Sequence, residues 1–230
     1  MSEQVRSMFA SIAGRYDMVN SVLSMGTHYR WRKKAVKLSG AEPGMSVLDC
    51  ATGTGDLAFD FKKKVGNNGH VLGTDFCKEM IEPAPAKAKR KKLEVDFEVA
   101  DAMNLPYEDN RFDISSIAFG IRNVDDPVVA LKEMARVVKP GGKVVVLEFG
   151  QAYGLMKYPF NFYSKHVIPR VGGWLTGNPD AYTYLPETSA KFPAGSNFTD
   201  LMKETGMFAS RSYHPLTSGV AYVYIGVVDR

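Results

Sequence analysis

Short apolar runs alternate with amphipathic stretches along the middle of the chain. The first run lies within AEPGMSVLDCATGTGD, residues 41–56, and four more read HVLGTDF, VDFEVAD, FDISSIAF and GKVVVLEF. Each run is short and is separated from the next by helical or turn residues, which is typical of buried strands. The alternation predicts an α/β fold whose mostly parallel sheet is covered by helices on both faces.

Two of the helices between these strands can be placed from their boundary residues. DPVVALKEMARVV has Asp126 as an N-cap candidate and Pro127 in its first turn, and the residues KPGG end it. Its apolar stripe consists of Val128, Leu131, Met134 and Val138. In MIEPAPAKAKRKK, Pro83 and Pro85 remove backbone donors, so we expect that helix to begin late.

The residue composition of the chain changes from Gly150 onward. Residues 150 to about 194 are rich in aromatic residues, Gly and Pro, with only short helical possibilities. Aromatic residues are too dense there for a flexible tether, so we expect a packed insertion that covers one end of the sheet. A last helix in NFTDLMKETGM and two strands, in ASRSYHPL and VAYVYIGVV, are predicted to close the fold.

Composition and length place the chain among ordinary globular proteins. With 230 residues, 45% hydrophobic and 23% charged, it suits one domain and is unlike disordered or fibrous proteins. The cysteines Cys50 and Cys77 have no paired spacing, which favours a reduced, cytoplasmic compartment. The N-terminus lacks the apolar core of a signal peptide, and no window approaches 18 uninterrupted apolar residues, so we expect no membrane span.

The formal charge of +4 is compatible with an anionic membrane or nucleic acid but indicates neither. The basic run KAKRKK, Lys87 to Lys92, is interpreted as a solvated helix face, with a contact to anionic lipid or nucleic acid as the alternative.

A glycine-rich loop follows the first predicted strand and opens a helix. Gly53 and Gly55 leave room for a ligand to approach the backbone, and with Ala58 they satisfy the loose dinucleotide fingerprint. That spacing alone is a weak signal. Asp49, ahead of the glycines, separates the candidates, because a carboxylate there repels a pyrophosphate and suits a ligand with ammonium and sulfonium groups. The loop therefore predicts S-adenosylmethionine, with an NAD-dependent oxidoreductase as the alternative.

Two further acids follow the next predicted strands. Asp75 ends the second strand, where a carboxylate can accept hydrogen bonds from both ribose hydroxyls. Asp101 follows the third strand and is placed to accept from the adenine amine, with Ala102 and Met103 along the ring. Each acid alone also suits a helix cap. Together they predict a cofactor site, because open α/β sheets bind ligands at the carboxyl ends of their strands.

Several longer stretches resemble one family, the ubiquinone/menaquinone biosynthesis C-methyltransferases among the class I S-adenosylmethionine-dependent methyltransferases. YDMVNSVLSMGTHYRW, residues 16–31, looks like its N-terminal signature, and RVVKPGGKVVVLEF, residues 136–149, looks like its second signature. AFGIRNV and AYTYLPETSAKFP also resemble family segments, so the similarity covers nearly the entire chain.

The resemblance implies a Rossmann-like, seven-stranded, mostly parallel sheet with the last strand antiparallel. It implies a single domain, 1–230, with a helical lid (1–39), a cofactor-binding core (40–149), an aromatic-rich insertion over the substrate side (150–195), and a closing helix and strands (196–230). The implied substrate is a polyprenylated hydroquinone such as demethylmenaquinol, methylated on ring carbon, with the ubiquinone precursor left open. The candidate cofactor-binding residues are Asp49, Thr52, Gly53, Thr54, Gly55, Asp75, Phe76, Asp101, Ala102 and Met103. No metal site is expected.

The polar pair Arg122 and Asn123 follows the fourth predicted strand, where the substrate half of such a site is expected. Arginine stays protonated in proteins, so Arg122 is expected to stabilise a phenolate while water or a neighbouring group takes the proton. Asn123 is expected to fix the other ring oxygen. The alternative is that Arg122 only pairs with Asp125 or Asp126.

Three residues of the lid complete the candidate catalytic set. Tyr16, Asp17 and His28 are expected to fold over the cofactor, with Asp17 or His28 relaying the proton. The structural alternatives are that Tyr16 and Asp17 cap a helix and that His28 packs against Trp31.

Aromatic residues of the insertion are candidates for holding a polyprenyl tail: Phe160, Phe162, Tyr163, Trp174, Tyr182 and Tyr184. They suit the insertion's own core equally well. Lys157, Lys165 and Arg170 would lie near the inner membrane surface if the tail enters from the bilayer. The fourth strand is not followed by a base-gripping Pro-Pro-aromatic loop, so no nucleic-acid substrate is expected. A homodimer, a soluble phenolic or other lipid substrate, and a catalytically silent scaffold that keeps the cofactor site stay open.

Overall fold

A seven-stranded sheet forms the centre of the fold. A computed structural model describes residues 3–176 and 179–229 of the chain. The strands lie in the order β3-β2-β1-β4-β5-β7-β6. Their bounds are β1 Ser46–Cys50, β2 His70–Asp75, β3 Asp96–Val99, β4 Phe112–Ala118, β5 Val138–Phe149, β6 Phe208–Leu216 and β7 Ala221–Val228.

Strand direction confirms the predicted fold class. Strands β1 to β5 pair in parallel, and β7 runs antiparallel between β5 and β6. Because β1 lies between β2 and β4, successive crossovers lead away from it in opposite directions. The carboxyl ends of β1 and β4 therefore flank the point of a doubly wound sheet where ligands bind.

Helices precede the first strand, connect most of the parallel strands and follow β5. The first group is α1 Glu3–Ile12, α2 Tyr16–Leu23 and α3 Thr27–Ser39, and the crossovers contain α4 Asp56–Val65, α5 Lys78–Ile81, α6 Ala84–Lys91 and α7 Pro127–Arg136. The later segment contains α8 Lys157–Phe162, α9 Ile168–Thr176, α10 Pro179–Lys191 and α11 Ser196–Glu204, with a π-helical stretch at Tyr163–Val167. None of the helices in the described ranges is long and apolar enough to cross a bilayer.

Local sequence signals placed α6 and α7 well. The carboxylate of Asp126 accepts hydrogen bonds from the backbone N–H groups of Val128 and Val129, at 2.8 and 3.1 Å, which confirms the predicted cap. Helix α6 begins after Pro83 and has Pro85 in its first turn, which confirms the predicted late start. The four-residue helix α5 precedes it.

Strand β5 begins earlier than predicted. The residues KPGG were expected to end α7, but that helix ends at Arg136 and the strand already starts at Val138. The pairing with β4 shifts register between Phe112 and Ile114, which admits extra residues into β5. A Cβ atom on Gly142 would lie 2.6 Å from the carbonyl oxygen of Asp113, so the close approach needs a glycine.

Three apolar clusters hold the layers together. Alternate residues of β5 enter clusters on opposite faces of the sheet, with Val144 on one face and Val145 on the other. The third cluster lies outside the sheet and joins the N-terminal helices to the insertion: Ile12, Val19, Leu23, Ile168 and Tyr182. The N-terminal helices and the insertion thus share a core, which fixes them over the same end of the sheet.

Candidate functional site

A cavity of about 580 Å³ lies at the carboxyl ends of β1, β4 and β5. Its walls come from the N-terminal helices, the loop after β1, the segments after β4 and β5, and the inner face of the insertion. The structure thus places the cavity at the sheet edge where strand order reverses.

The glycine loop forms one wall of this cavity. Gly53 and Gly55 have φ angles of +54° and +88°, a region that L side chains rarely adopt. A Cβ atom on Gly55 would lie 2.9 Å from the ring of Phe59 and 3.0 Å from that of Phe97. Conformation therefore favours glycine at both positions, and space restricts Gly55 as well; the loop lies beside the start of α4.

Asp49 is buried at the end of β1. Its two carboxylate oxygens accept hydrogen bonds from the hydroxyls of Thr52 and Ser116, each at 2.7 Å. Burial raises the pKa of this carboxyl to about 6 in spite of those bonds. Asp49 and Thr52 both line the cavity, where the carboxylate supplies the negative charge that a ligand with ammonium and sulfonium groups requires.

Asp75 lies at the end of β2, next to the same loop. It accepts hydrogen bonds from the backbone N–H groups of Gly53 and Cys77, at 2.8 and 2.9 Å. Burial raises its pKa to about 6. Each oxygen keeps a second lone pair for a ribose hydroxyl.

The remaining cofactor candidates continue along the strand ends. Asp101 accepts a bond from the backbone N–H of Met103 at 2.9 Å, Ala102 is buried, and Phe76 is partly exposed. The cavity wall includes Asp49, Thr52, Gly53 and Thr54 but not Gly55, Asp75, Phe76, Asp101, Ala102 or Met103. The acids and the glycine loop at adjoining strand ends are residues that would fit the ammonium, sulfonium and ribose groups of S-adenosylmethionine.

The lid residue Asp17 is fastened to the glycine loop. One carboxylate oxygen accepts a hydrogen bond from the hydroxyl of Thr54, and the other pairs with Lys87 Nζ, both at 2.5 Å. Lys87 also pairs with Asp56 at 2.7 Å, and its side chain is only 12% exposed. The interpretation of the whole KAKRKK run as a solvated face was therefore wrong for Lys87. Asp17 is engaged by a cation, which favours a fastening role over a proton relay.

Arg122 lies in the cavity wall and is paired from behind. Its Nη1 atom lies 2.5 Å from Glu148 Oε1 and also donates to the carbonyl oxygen of Phe119 at 2.8 Å. Side chains 122 and 148 are 4% and 1% exposed. Burial raises the pKa of the Glu148 carboxyl, and the Arg122 charge opposes that rise. Arg122, in the turn after β4, is paired with Glu148 of β5 and not with the alternative partners Asp125 or Asp126, and Asp126 caps α7 instead.

Asn123 is held by the insertion. It is buried, and its side-chain oxygen accepts a hydrogen bond from the hydroxyl of Tyr184 at 3.1 Å. Its amide nitrogen donates to the carbonyl oxygen of Phe119 at 3.4 Å. Tyr184 lines the cavity, whereas Asn123 is outside its wall. Between the two, Tyr184 is therefore the one placed to meet a ligand.

His28 and Tyr16 both line the cavity. The Nδ1 atom of His28 is hydrogen-bonded to Ser24 Oγ at 2.5 Å, and its ring lies 4.0 Å from that of Tyr29, not against Trp31. Burial, followed by the charge of Arg32, lowers the pKa of His28 to about 4, so the imidazole is neutral at pH 7. Tyr16 begins α2, and burial raises the pKa of its phenol.

The aromatic residues of the insertion divide into two groups. Phe160, Tyr163, Tyr182 and Tyr184 line the cavity. Phe162 and Trp174 are 65% and 83% exposed and point outward. Of these six residues, only the first group lies where a ligand in the cavity could contact it.

Sequence reasoning missed two residues of the site. Glu148 had a recognisable signal, since it is a single acid within the apolar run VVVLEF. Lys87 had none, because it is one of several basic residues in its run.

The chain was compared with known proteins. A family model described as the ubiE/COQ5 methyltransferase family matches residues 1–228. "Ubiquinone/menaquinone biosynthesis C-methyltransferase UbiE" of Bdellovibrio bacteriovorus is 57% identical over 230 residues, covering 98% of this chain and 96% of that protein. "Demethylmenaquinone methyltransferase" of Deinococcus radiodurans is 44% identical over 225 residues, covering 97% and 92%.

Solved structures share the fold at low identity. A SAM-dependent methyltransferase from Aquifex aeolicus has a TM-score of 0.64 and 21% identity, covering 86% of this chain and 89% of that one. A possible histamine N-methyltransferase from Thermotoga maritima has a TM-score of 0.67 and 20% identity, covering 96% and 98%. These similarities concern the fold alone.

The raised pKa values of Asp49 and Asp75 predict a pH-dependent affinity for S-adenosylmethionine. Both carboxyls have a pKa of about 6 in the ligand-free protein, and the ligand needs them ionised. At pH 5 each must release a proton on binding, so calorimetry should show affinity about tenfold lower per carboxyl than at pH 7. The variant Asp75→Asn should bind S-adenosylmethionine more weakly at pH 7. Its affinity should change about tenfold between pH 5 and pH 7, because only the Asp49 carboxyl still titrates. Equal affinity of the unmodified protein at both pH values would contradict this assignment.

Proposed function

Because the chain belongs to the ubiE/COQ5 methyltransferase family, we propose that its substrate is a polyprenylated hydroquinone, in the first place demethylmenaquinol, with the ubiquinone precursor as a second substrate. The enzyme class is S-adenosylmethionine-dependent C-methyltransferase, which excludes the oxidoreductase alternative. The observation that carries the substrate proposal is the buried cation Arg122 in the wall of the cavity, beside the glycine loop.

The reaction asks little covalent chemistry of the protein. Bound S-adenosylmethionine supplies the methyl group on a sulfonium, and the chain has to align a ring carbon with it. A hydroquinone carbon becomes nucleophilic when a ring hydroxyl loses its proton. The protein must therefore position the ring and stabilise its phenolate.

Arg122 is assigned to the phenolate. A phenol pKa near 10 lies about three units above neutral, which is roughly 4 kcal/mol, and a nearby guanidinium offsets part of this. Glu148 neutralises the charge from the side away from the cavity wall, so the ring oxygen meets the positive end of a dipole. The fixed pair needs no reorganisation when the phenolate forms.

The proton that leaves the ring hydroxyl is assigned to a water molecule next to His28. This imidazole is neutral at pH 7 and lines the cavity, so it can accept a hydrogen bond that arginine cannot. Its low pKa makes it a weak base, which suits orienting a water better than keeping the proton. Asp17, paired with Lys87, is assigned to holding the lid.

The apolar part of the cavity suits a prenyl tail. Phe9 and Ile12 of the lid and Phe160 and Ile168 of the insertion line it together. Burying each methylene of a tail there contributes about 0.8 kcal/mol.

We also infer that the outer face of the insertion rests on an anionic membrane. Leu155 is 92% exposed and Tyr158 is 77% exposed, and the same segment contains the exposed Phe162 and Trp174. The basic residues expected at the lipid, Lys157, Lys165 and Arg170, are exposed on the same segment. Since the inner face of this segment lines the cavity, a tail can pass between bilayer and site.

Removing the cation should abolish methyl transfer. Arg122→Gln alone leaves Glu148 buried without its partner, so it is combined with Glu148→Gln, which keeps the shape of the pair. With reduced demethylmenaquinol, mass spectrometry should show methyl transfer at least about 100-fold slower, while the affinity for S-adenosylmethionine changes little. Arg122→Lys keeps a charge and should be intermediate. Full activity of the double variant would return the pair to a structural role, and an inactive unmodified protein would contradict the substrate.

Membrane contact should depend on the outer face of the insertion. Leu155→Ala combined with Trp174→Ala should lower flotation with phosphatidylglycerol vesicles, because both side chains would otherwise enter the interface. The matched control replaces two exposed apolar residues elsewhere, Val99 and Tyr213, with Ala. Binding of the unmodified protein should weaken with salt and with phosphatidylcholine alone. No flotation with either lipid, or equal loss in the control, would contradict this contact.

A further inference from the structure

Unpartnered polar atoms gather at the cavity. Buried polar atoms normally have hydrogen-bond partners, and four side-chain atoms in the described ranges lack one: Arg122 Nε, Glu148 Oε2, Tyr182 OH and Ser189 Oγ. Arg122, Tyr182 and Ser189 line the cavity, and Glu148 lies behind Arg122. Leaving such a group unpaired destabilises the protein, so their shared position favours a ligand with polar atoms of its own.

Tyr182 is tightly packed at the cavity. Its side chain is 3% exposed and packs in the cluster shared by the lid and the insertion. A Cβ atom on Gly172 would lie 2.3 Å from the ring carbon Cγ, so the helix α9 backbone fits closely against the ring. Ser189 is less buried, and its hydroxyl is free to rotate. The Tyr182 hydroxyl therefore has a fixed place and no partner.

The Tyr182 hydroxyl shares its cavity with the phenol of Tyr16 and the guanidinium of Arg122. Burial raises the pKa of Tyr16, and the Arg122 charge lowers it. Burial, and after it the Tyr16 phenol, raises the pKa of Tyr182 to about 12, so its hydroxyl stays protonated at pH 7. One ligand space therefore contains a cation and a neutral hydroxyl, each with an unpartnered atom.

We propose that the Tyr182 hydroxyl hydrogen-bonds the substrate ring oxygen that Arg122 does not stabilise, and so selects rings that carry two oxygens. This inference rests on the proposed hydroquinone substrate. Arg122 meets the oxygen that becomes a phenolate, and Tyr182 meets the oxygen that keeps its proton, as a neutral phenol that can donate or accept. A site built around such a bond discriminates strongly against an analogue lacking the oxygen, because the hydroxyl is then left unpaired.

Tyr182→Phe tests this role with two opposed readouts. The variant keeps the ring and removes an unpaired hydroxyl, so its melting temperature should be unchanged or higher. Its KM for reduced demethylmenaquinol should rise about tenfold or more, with unchanged affinity for S-adenosylmethionine. The matched control is Tyr107→Phe, another buried tyrosine, whose hydroxyl donates to Glu98 at 2.8 Å. The control should melt at a lower temperature and keep its KM.

An analogue supplies the second measurement. For the unmodified protein, a prenylated phenol with one ring oxygen should have a much lower kcat/KM than the hydroquinone. In Tyr182→Phe the ratio of the two kcat/KM values should be about tenfold smaller. Equal KM values for the variant and the unmodified protein would overturn this inference and leave the proposed function intact. Equal use of both rings by the unmodified protein would do the same. An unmodified protein that methylates no prenylated hydroquinone would contradict the proposed function and this inference with it.

Discussion

The buried ion pair between Arg122 and Glu148 is the constraint around which the site is organised. Removing two charges from water is costly, and the cost is recovered only when each charge is well matched. The pair joins the turn after β4 to the end of β5, so the cation has a fixed place in the cavity that the glycine loop also lines. An arginine without Glu148 would not be held there, and a neutral residue at position 122 would remove the guanidinium from this part of the cavity wall.

The lid and the insertion enclose that charge by two different means. Lys87 fastens Asp17 of the lid to the loop through charge, and Ile12 and Ile168 join lid to insertion through apolar contact. The ionic contact is partly exposed and is weakened by salt, whereas the apolar contact is not. The enclosure excludes water from the cation, which strengthens its effect on a ring oxygen.

The sequence predicted what local pattern determines. The order of the strands along the chain, the cap of α7 and the acids at strand ends follow from short-range periodicity and turn chemistry, so they were placed correctly, whereas the start of β5 was not. It could not supply contacts between distant segments, such as Lys87 with Asp17, because a basic residue in a basic run carries no sign of its partner. For the same reason Trp174 was grouped with the inward-facing aromatics although it points outward. The assigned roles of the site residues stay predictions, as does a homodimer.

The quinone profile of cells lacking this gene, measured by mass spectrometry, tests the central claim most directly. A quinone one methyl short should accumulate, and the gene for the unmodified protein should restore the methylated product. The gene carrying Arg122→Gln with Glu148→Gln should fail to do so while its protein is present at normal abundance. An unchanged profile in cells without the gene would contradict the account.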